Sequence, residues 1–304
     1  MFEVHLRTNS SCNLKCLHCY SRSTTHEDGI YLNKDEIVRL LSLFCGKIGA
    51  EIHLEGGEIF LYPEAIRTLS LLKREYLSLI TLTTNGTIFT NDREILDILR
   101  GLGAFRISIE GYTDEQNIKV RGIALSKILE NASRYLSEGI NVCLRLTLNR
   151  CNYKNMVCDT LPSLIAIGFN RLQVYEFQSV GRGYDNRHMF ELGDSLRDFF
   201  AALSEHGKYD KADVRIMFPA RRIPEAEFYR NRLEESGIGV KILPQANGIS
   251  INPDGNVFKC AWDNNKEHSL FNICMESSDR IEDIINGGNF AHDCKCCSAL
   301  KLTA

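Results

Sequence analysis

Cys12-Asn-Leu-Lys-Cys16-Leu-His-Cys19 sets three cysteines at C-x3-C-x2-C spacing, just after an apolar-alternating segment near the amino terminus. A loop this short can turn all three thiolates toward one point. Iron–sulfur clusters normally take four cysteines. Three therefore hold three irons of a cubane and leave the fourth iron open to another molecule. Zinc is the alternative for the same thiolates, although closed structural zinc sites use four ligands and commonly draw them from paired knuckles.

Outward from this loop the chain alternates strand-like runs with helical patterns. Strands are read at 2–8, 51–55, 78–84, 105–110, 141–148 and 171–178, with helices near 34–45, 63–76, 91–101, 126–138 and 154–167. Asn33 and Asn91 serve as helix caps, and Gly46, Gly139 and Gly168 as stops. Strand–helix repetition implies a parallel sheet with helices outside it. The expected fold is α/β, a partial (β/α)6 barrel, with an open doubly wound sheet as the alternative.

Most of the strands also alternate by polarity. Phe2, Val4 and Leu6 interleave with Glu3, His5 and Arg7; Ile52 and Leu54 with Glu51, His53 and Glu55; Phe105, Ile107 and Ile109 with Arg106, Ser108 and Glu110. Val142, Leu144 and Leu146 interleave with Cys143, Arg145 and Thr147. Successive side chains point to opposite faces, whereas a strand covered on both faces reads as nearly continuous apolar sequence. The apolar faces therefore belong under the helices, and the lumen is polar. Glu3, Glu51, Arg106 and Arg171, early in their strands, are expected to pair at the floor of the barrel, because sites in such folds sit at strand carboxyl ends.

With 304 residues, 44% hydrophobic and 25% charged, the chain reads as globular. A net charge of −3 offers no electrostatic case for nucleic acid or an anionic membrane. Met1-Phe-Glu-Val-His has no signal-peptide character, and no apolar run reaches membrane-spanning length. A cytoplasmic location is expected, so the twelve cysteines are not a disulfide framework. Cys45 and Cys158 read as small core residues.

Four strand ends carry further motifs. The second strand ends Glu55-Gly56-Gly57-Glu58, whose glycines let backbone approach a ligand. The third ends Thr83-Thr84-Asn85-Gly86, the fourth Ser108-Ile-Glu110-Gly111 with Val120-Arg121-Gly122 beyond, and the sixth Ser179-Val180-Gly181-Arg182-Gly183. Together with the cysteine loop and the Tyr20 that follows it, this series resembles the radical S-adenosylmethionine (SAM) enzymes over residues 5 to about 183. The resemblance implies a 4Fe–4S cluster on Cys12, Cys16 and Cys19, with SAM chelated to the open iron and cleaved reductively to a 5′-deoxyadenosyl radical. It also implies that Gly56, Gly57 and Glu58 receive the SAM ammonium, that Ser108 reaches its ribose or carboxylate, and that Arg121 or Arg145 pairs with the carboxylate. Asn85 follows the family pattern or simply caps its turn.

Beyond a core of 1–183, residues 184–236 are read as a helical extension, with amphipathic helices at Asp194 to His206 and Pro224 to Ser236. Residues 237–304 are read as a small α+β unit. Ile249 to Cys260 forms a hairpin around Pro253-Asp254-Gly255, Cys274 follows, and a short helix near 280–286 precedes Cys294-Lys-Cys296-Cys297. This tail resembles the twitch and SPASM modules, which implies one auxiliary 4Fe–4S cluster on Cys260, Cys294 and Cys297, with Cys274 or Cys296 as fourth ligand. It departs from them in lacking a cysteine before the hairpin, and zinc is again the alternative.

The family resemblance implies hydrogen abstraction from a C–H bond, with a flavodoxin or ferredoxin as reductant. Peptide modification by crosslinking or oxidation is the expected outcome. A dehydrogenase or epimerase of a sugar or aminocyclitol is the alternative, and a zinc-bearing adaptor a more distant one. Cys143, inward-facing and outside both cysteine groups, is the candidate hydrogen donor for an epimerase, although its place early in its strand favours an electron-accepting route.

Overall fold

In the computed structural model, residues 2–303 are described apart from 24, 26–27, 208, 210–211, 220–221, 236–238, 243–246, 261, 264–265, 289 and 291–298. Strand β1 (Phe2–Arg7) is followed by α1 (Lys34–Leu41), β2 (Glu51–Glu55), α2 (Pro63–Arg67), β3 (Ile80–Thr84), α3 (Arg93–Gly101), β4 (Ala104–Ile109), α4 (Asp114–Arg121), α5 (Leu125–Ser137) and β5 (Val142–Leu148). Short helices α6 (Tyr153–Asn155) and α7 (Leu161–Ala166) lead to β6 (Arg171–Glu176), and α8 (Arg182–Asp185), α9 (Arg187–Phe190) and α10 (Ser195–His206) to β7 (Asp213–Pro219). Then come α11 (Ile223–Glu235), β8 (Gly239–Ile242), β9 (Asn247–Ile251), β10 (Asn256–Phe258), β11 (Phe271–Asn272), α12 (Ser278–Gly287) and β12 (Ala299–Thr303).

Strands β1 to β6 pair in parallel, each with the next, as a (β/α)6 partial barrel requires. Val4, Leu6, Leu54, Leu82, Ile107 and Leu144 are fully buried in the apolar layer. The polar faces point the other way, and the sheet curls around them. Arg106 of β4 lies 3.1 Å from Nδ1 of His53 on β2 (Nη1), two strands away. Neighbouring strands lie about 4.8 Å apart, so curvature brings these faces together.

The strand register extends past the six expected units. Residues 184–236 are not simply helical. Val214, Ile216 and Phe218 are buried in alternation with Arg215 and Met217, and β7 adds parallel to β6. On the opposite side β9 adds parallel to β1, pairing Phe2 with Asn247 and Leu6 with Ile251. The hairpin expected around Gly255 is present as β9 and β10, with Gly255 at φ 81°. Strand β12 pairs antiparallel with β7 and β8, so the tail supplies strands to both flanks of one twelve-stranded sheet.

Helix boundaries show where local signals mislead. Asn33 caps α1, its side chain accepting from Asp35 N–H. For α3 the cap is Asp92 rather than Asn91, and it accepts from both Glu94 and Ile95 N–H. Gly46 stops nothing: the helix continues through a π-helical Ser42–Ile48 and ends at Gly49, which supplies the left-handed φ of 67° that a C-cap needs. The helix expected over 63–76 breaks where Leu72 and Lys73 adopt extended backbone, leaving α2 and two 3-10 turns. Helix α4, absent from the sequence reading, has no apolar stripe and is defined by its Thr113 cap and its stop at Gly122. Among the described residues, no helix is long and apolar enough to cross a membrane.

Candidate active site

The cysteine loop lies across the carboxyl ends of the strands and is gripped from several sides. Gly57 N–H donates to Asn9 O at 2.7 Å, Glu58 N–H to Ser11 O at 2.7 Å, Leu17 N–H to Val120 O at 2.9 Å, and Arg182 N–H to Cys19 O at 2.8 Å. Asn85 Nδ2 donates to Asn13 Oδ1 at 2.8 Å, and Asn186 Nδ2 to Leu17 O at 3.0 Å. A Cβ on Gly57 would sit 2.1 Å from Ser11 O, and one on Gly181, at φ 59°, 2.2 Å from Tyr20 O. Both glycines are thus required by close approach of the loop's own backbone.

Under the loop is an open cavity. Cys12, Cys16 and Cys19 face it together with His18, Tyr20, Glu55, Gly56, Gly57, Thr84, Asn85, Ser108, Arg121, Arg145, Tyr175, Glu176, Arg182 and Trp262. Burial pushes the Cys12 thiol up to about 12. It also raises Cys16, against the opposing charge of Arg121. Burial acts on Cys19 too, but hydrogen bonds involving Ser21 and Ser23 and the Arg182 charge outweigh it and lower that thiol. Leu14 N–H reaches Cys12 Sγ at 3.4 Å, and Asn85 Nδ2 reaches it at 3.7 Å.

These residues fit the group that the motif implies. Three thiols share one cavity with three guanidinium groups, and two of these, Arg121 and Arg182, act on Cys16 with a charge that favours an anionic centre. His18 Nδ1 and Arg182 Nη2 are buried and meet no protein partner, leaving polar valences for a bound molecule. Among the described residues, the group of ligand side chains whose donor atoms all lie within 4.8 Å of one another is Glu3, His5 and His53. The cysteine triplet is less compact than that, whereas three sulfurs on one zinc ion would lie about 3.8 Å apart. The Glu3–His5–His53 group is itself a poor metal site. Its imidazoles stack, with centroids 4.5 Å apart and planes at 11°, so both cannot aim a lone pair at one ion.

Two carboxylates at the β2 turn have opposite surroundings. Glu58 accepts from Thr84 Oγ1 at 2.6 Å, Asn85 N–H at 2.7 Å and Phe60 N–H at 3.0 Å. It is 1% exposed, does not line the cavity, and burial raises its carboxyl despite these bonds. Glu55 is the carboxylate that faces the cavity. Burial would raise it, but His5 (3.4 Å), Arg145 and Tyr20 prevail and lower it to about 2. The carboxylate expected to accept the ammonium, Glu58, thus spends three acceptor positions on its own turn, and Glu55 is the one that lines the cavity.

The other predicted residues fall as follows. Tyr20 packs edge-on to Trp262 at 5.3 Å, with the Arg7 guanidinium 5.8 Å from its ring. Ser108 lines the cavity; Arg145 does too, lying 4.5 Å over the Tyr175 ring. Arg121 is buried against Glu110 at 3.4 Å, and Glu110 also meets His18 Nε2 at 2.5 Å. Asn85 caps its turn, its Oδ1 accepting from Thr87 N–H, while its amide holds the loop. Cys143 does not line the cavity: it is buried on the floor, where Arg106, Arg171, Asp213 and Arg215 surround it. Arg106 turns to His53 there, not to a glutamate. Cys260 is buried just before Trp262, while Cys274 is exposed beside Gly255 and near Glu36 and Arg39. Cys294, Cys296 and Cys297 lie outside the described residues.

Sequence reasoning missed His18, Glu55, Glu110, Arg182 and Trp262 as site residues. His18 stands inside the quoted loop and Glu55 on the inward face of its strand, so both carried a signal. Trp262 carried none, because only the β9–β1 pairing brings the tail to the cavity.

Fold and cavity together define a partial α/β barrel with three cysteines gathered at a polar cavity on its carboxyl face. The model of the radical SAM superfamily matches residues 7–151, and the chain therefore carries a radical SAM domain. A probable GTP 3′,8-cyclase of Methanococcus vannielii is 23% identical over 193 residues, covering 62% of this chain and 62% of that protein. The antilisterial bacteriocin subtilosin biosynthesis protein AlbA of Bacillus subtilis is 25% identical over 275 residues, covering 89% of this chain and 57% of its own length. The crystal structure of Streptococcus suis SuiB bound to precursor peptide SuiA superposes with a TM-score of 0.67 at 14% identity, covering 97% of this chain and 65% of SuiB. This chain spans less than two thirds of each of these three.

Proposed function

We propose that this protein is a radical SAM enzyme that abstracts hydrogen from a C–H bond of a ribosomally made peptide, leading to a crosslink or an oxidation. The observation that carries the reading is the convergence of Cys12, Cys16 and Cys19 on the cavity that also holds Gly56, Gly57, Ser108 and Arg145. A 4Fe–4S cluster with SAM supplies, when bound, a 5′-deoxyadenosyl radical as the hydrogen-abstracting agent. The chain's own part is binding and orientation. Cys12, Cys16 and Cys19 ligate, and Asn85 and Leu14 N–H hydrogen-bond a ligand sulfur, as partners around metal ligands do. Arg145 offers a guanidinium fork to a carboxylate, Ser108 a hydroxyl, and the Gly56–Gly57 backbone carbonyls serve an ammonium in place of Glu58. His18, held by Glu110, presents Nδ1 to the bound molecule. Tyr20 and Trp262 wall off the lumen, which limits water at the reacting centre.

A peptide substrate is supported by the likeness to AlbA and by SuiB, solved with its precursor peptide. A small-molecule substrate is the second reading, favoured by the GTP 3′,8-cyclase relative. A second cluster on Cys260, with Cys294, Cys296, Cys297 or Cys274, would accept the electron in the oxidative outcome. The test is anaerobic reconstitution with iron and sulfide, then dithionite and SAM with analysis for 5′-deoxyadenosine. A colourless protein that forms none sinks the reading. Consumption of GTP with a cyclised product would move the assignment to the second class.

A further inference from the structure

An electron must enter this site from outside, and one exposed face is built from elements that abut the cysteine loop. Leu17, between Cys16 and Cys19, is clasped by Val120 O from α4 and by the Asn186 amide from the α8–α9 turn. The residues next to these clasps are exposed, and they are basic or apolar. Lys15 projects from the loop itself, Lys119 from α4 and Arg187 from α9, all exposed. Arg22 is exposed at the far end of the loop and paired with Asp185 at 2.8 Å. The same elements expose two large apolar groups, Ile118 on α4 and Tyr184 on α8, the latter with the Arg187 guanidinium 4.3 Å from its ring centroid. The acidic groups of the same elements are Asp185, already paired, Glu191 after α9, and Asp114 and Glu115 at the opposite end of α4. This face is therefore positive on a chain whose net charge is −3.

A small apolar centre rimmed by charge is how transient protein interfaces are built, and complementary charge sets their encounter rate more than their affinity. We infer that the face formed by Lys15, Ile118, Lys119, Tyr184 and Arg187 is the docking surface for a small acidic electron-transfer protein that reduces the site beneath it. The inference rests on the radical SAM reading above. Lys119 and Arg187 make no contact with the cavity, so they act on the arriving partner and not on the bound centre.

The experiment compares two electron sources on the reconstituted enzyme. With acidic flavodoxin hydroquinone at ~20 mM salt, Lys119→Glu/Arg187→Glu should form 5′-deoxyadenosine about tenfold more slowly than wild type, and the gap should close by ~0.5 M salt, where screening is nearly complete. With dithionite the two proteins should agree within about twofold, since a small reductant needs no docking face. Lys127→Glu, on the exposed side of α5, should match wild type with both. Bleaching of the iron–sulfur absorbance on mixing with the flavodoxin reads the same step directly and should show the same ratio. Equal flavodoxin-driven rates in variant and wild type overturn the surface, as does an equal loss with dithionite. If the double variant fails to fold, Lys119→Glu alone decides by the same ratio. Wild type that forms no 5′-deoxyadenosine with dithionite fails at the earlier step and takes the docking surface with it.

Discussion

The two ends of the barrel are made from the same strands by the same alternation, yet they do different things. At the carboxyl end Glu55, Ser108 and Arg145 face a cavity. Two residues earlier on the same faces, His53, Arg106 and Cys143 contact one another's neighbours and fill the floor. Arg106 meets His53 at 3.1 Å, Glu3 lies 3.9 Å from His53, and Cys143 sits among Arg106, Arg171, Asp213 and Arg215. A period of two makes a lumen, but it does not say which half of the lumen is used. The loops decide that: the carboxyl end alone receives the cysteine loop and the glycine turns that let it lie close.

The sharpest way to break this contrast is at the loop. Replacing Cys12, Cys16 and Cys19 together by alanine should reduce 5′-deoxyadenosine formation to background, while any tail cluster keeps its iron, measured by chromophore and iron content. Undiminished product would remove the carboxyl end from the chemistry altogether.

The next prediction sharpens the comparison within one turn. Glu58→Gln turns an amide NH2 toward Asn85 N–H, so one buried acceptor is lost between two donors. Denaturant unfolding should show a loss of about 1–3 kcal/mol. SAM affinity of the folded protein should be unchanged, which separates a turn-holding carboxylate from a ligand-binding one.

Glu55 should respond to acid in the opposite manner to a solvated carboxylate. Its carboxyl is lowered in the fold to about 2, against an ordinary 4.5. Its stabilisation is therefore present above pH 4.5 and lost as pH falls toward 2. Through that window the apoprotein should lose up to about 1.4 kcal/mol per pH unit on its account. Glu55→Gln should flatten that slope in unfolding curves at successive pH values, and an unchanged slope would show that His5 and Arg145 do not hold the charge.

The smallest effect belongs to the floor. Cys143→Ala should cost about 1 kcal/mol as a buried small-to-smaller change and leave turnover intact. Product made by wild type in deuterated water should carry no solvent deuterium on carbon. Deuterium there, lost with the mutant's turnover, would turn the floor into a second working end.

Much of this organisation was readable in the sequence. The six strands, the polar lumen and the ordered strand-end motifs follow from period-two polarity and from punctuation by glycine, both local properties. What was not readable depends on partners far along the chain. Strand β7 alternates as clearly as the others but lay in a stretch judged by its helices. Helix α4 has no apolar stripe because it is held by a cap and by the loop that rests on it. Glu58 looked like a ligand because the motif is written in residues, whereas its oxygens are taken by Thr84, Asn85 and Phe60, two of which lie on the next strand end. Trp262 reaches the cavity through a pairing between residues 2–6 and 247–251 that no local pattern announces.

That pairing also fixes an order of events during synthesis. Strand β1 leaves the ribosome ahead of β2 to β12, but one of its two flanking strands, β9, begins only at Asn247. Until then β1 is an edge strand with an unpaired row of backbone groups, open to association with other chains, and the Arg7 side chain lacks the Asn252 amide oxygen that it later meets. Closing so long a loop is slow compared with helix and hairpin formation. The cavity wall that carries Trp262 is then among the last parts to form. Ribosome-bound nascent chains stalled before residue 258 should leave β1 and the cysteine loop more open to limited proteolysis than chains stalled after the tail has emerged, which would time that step.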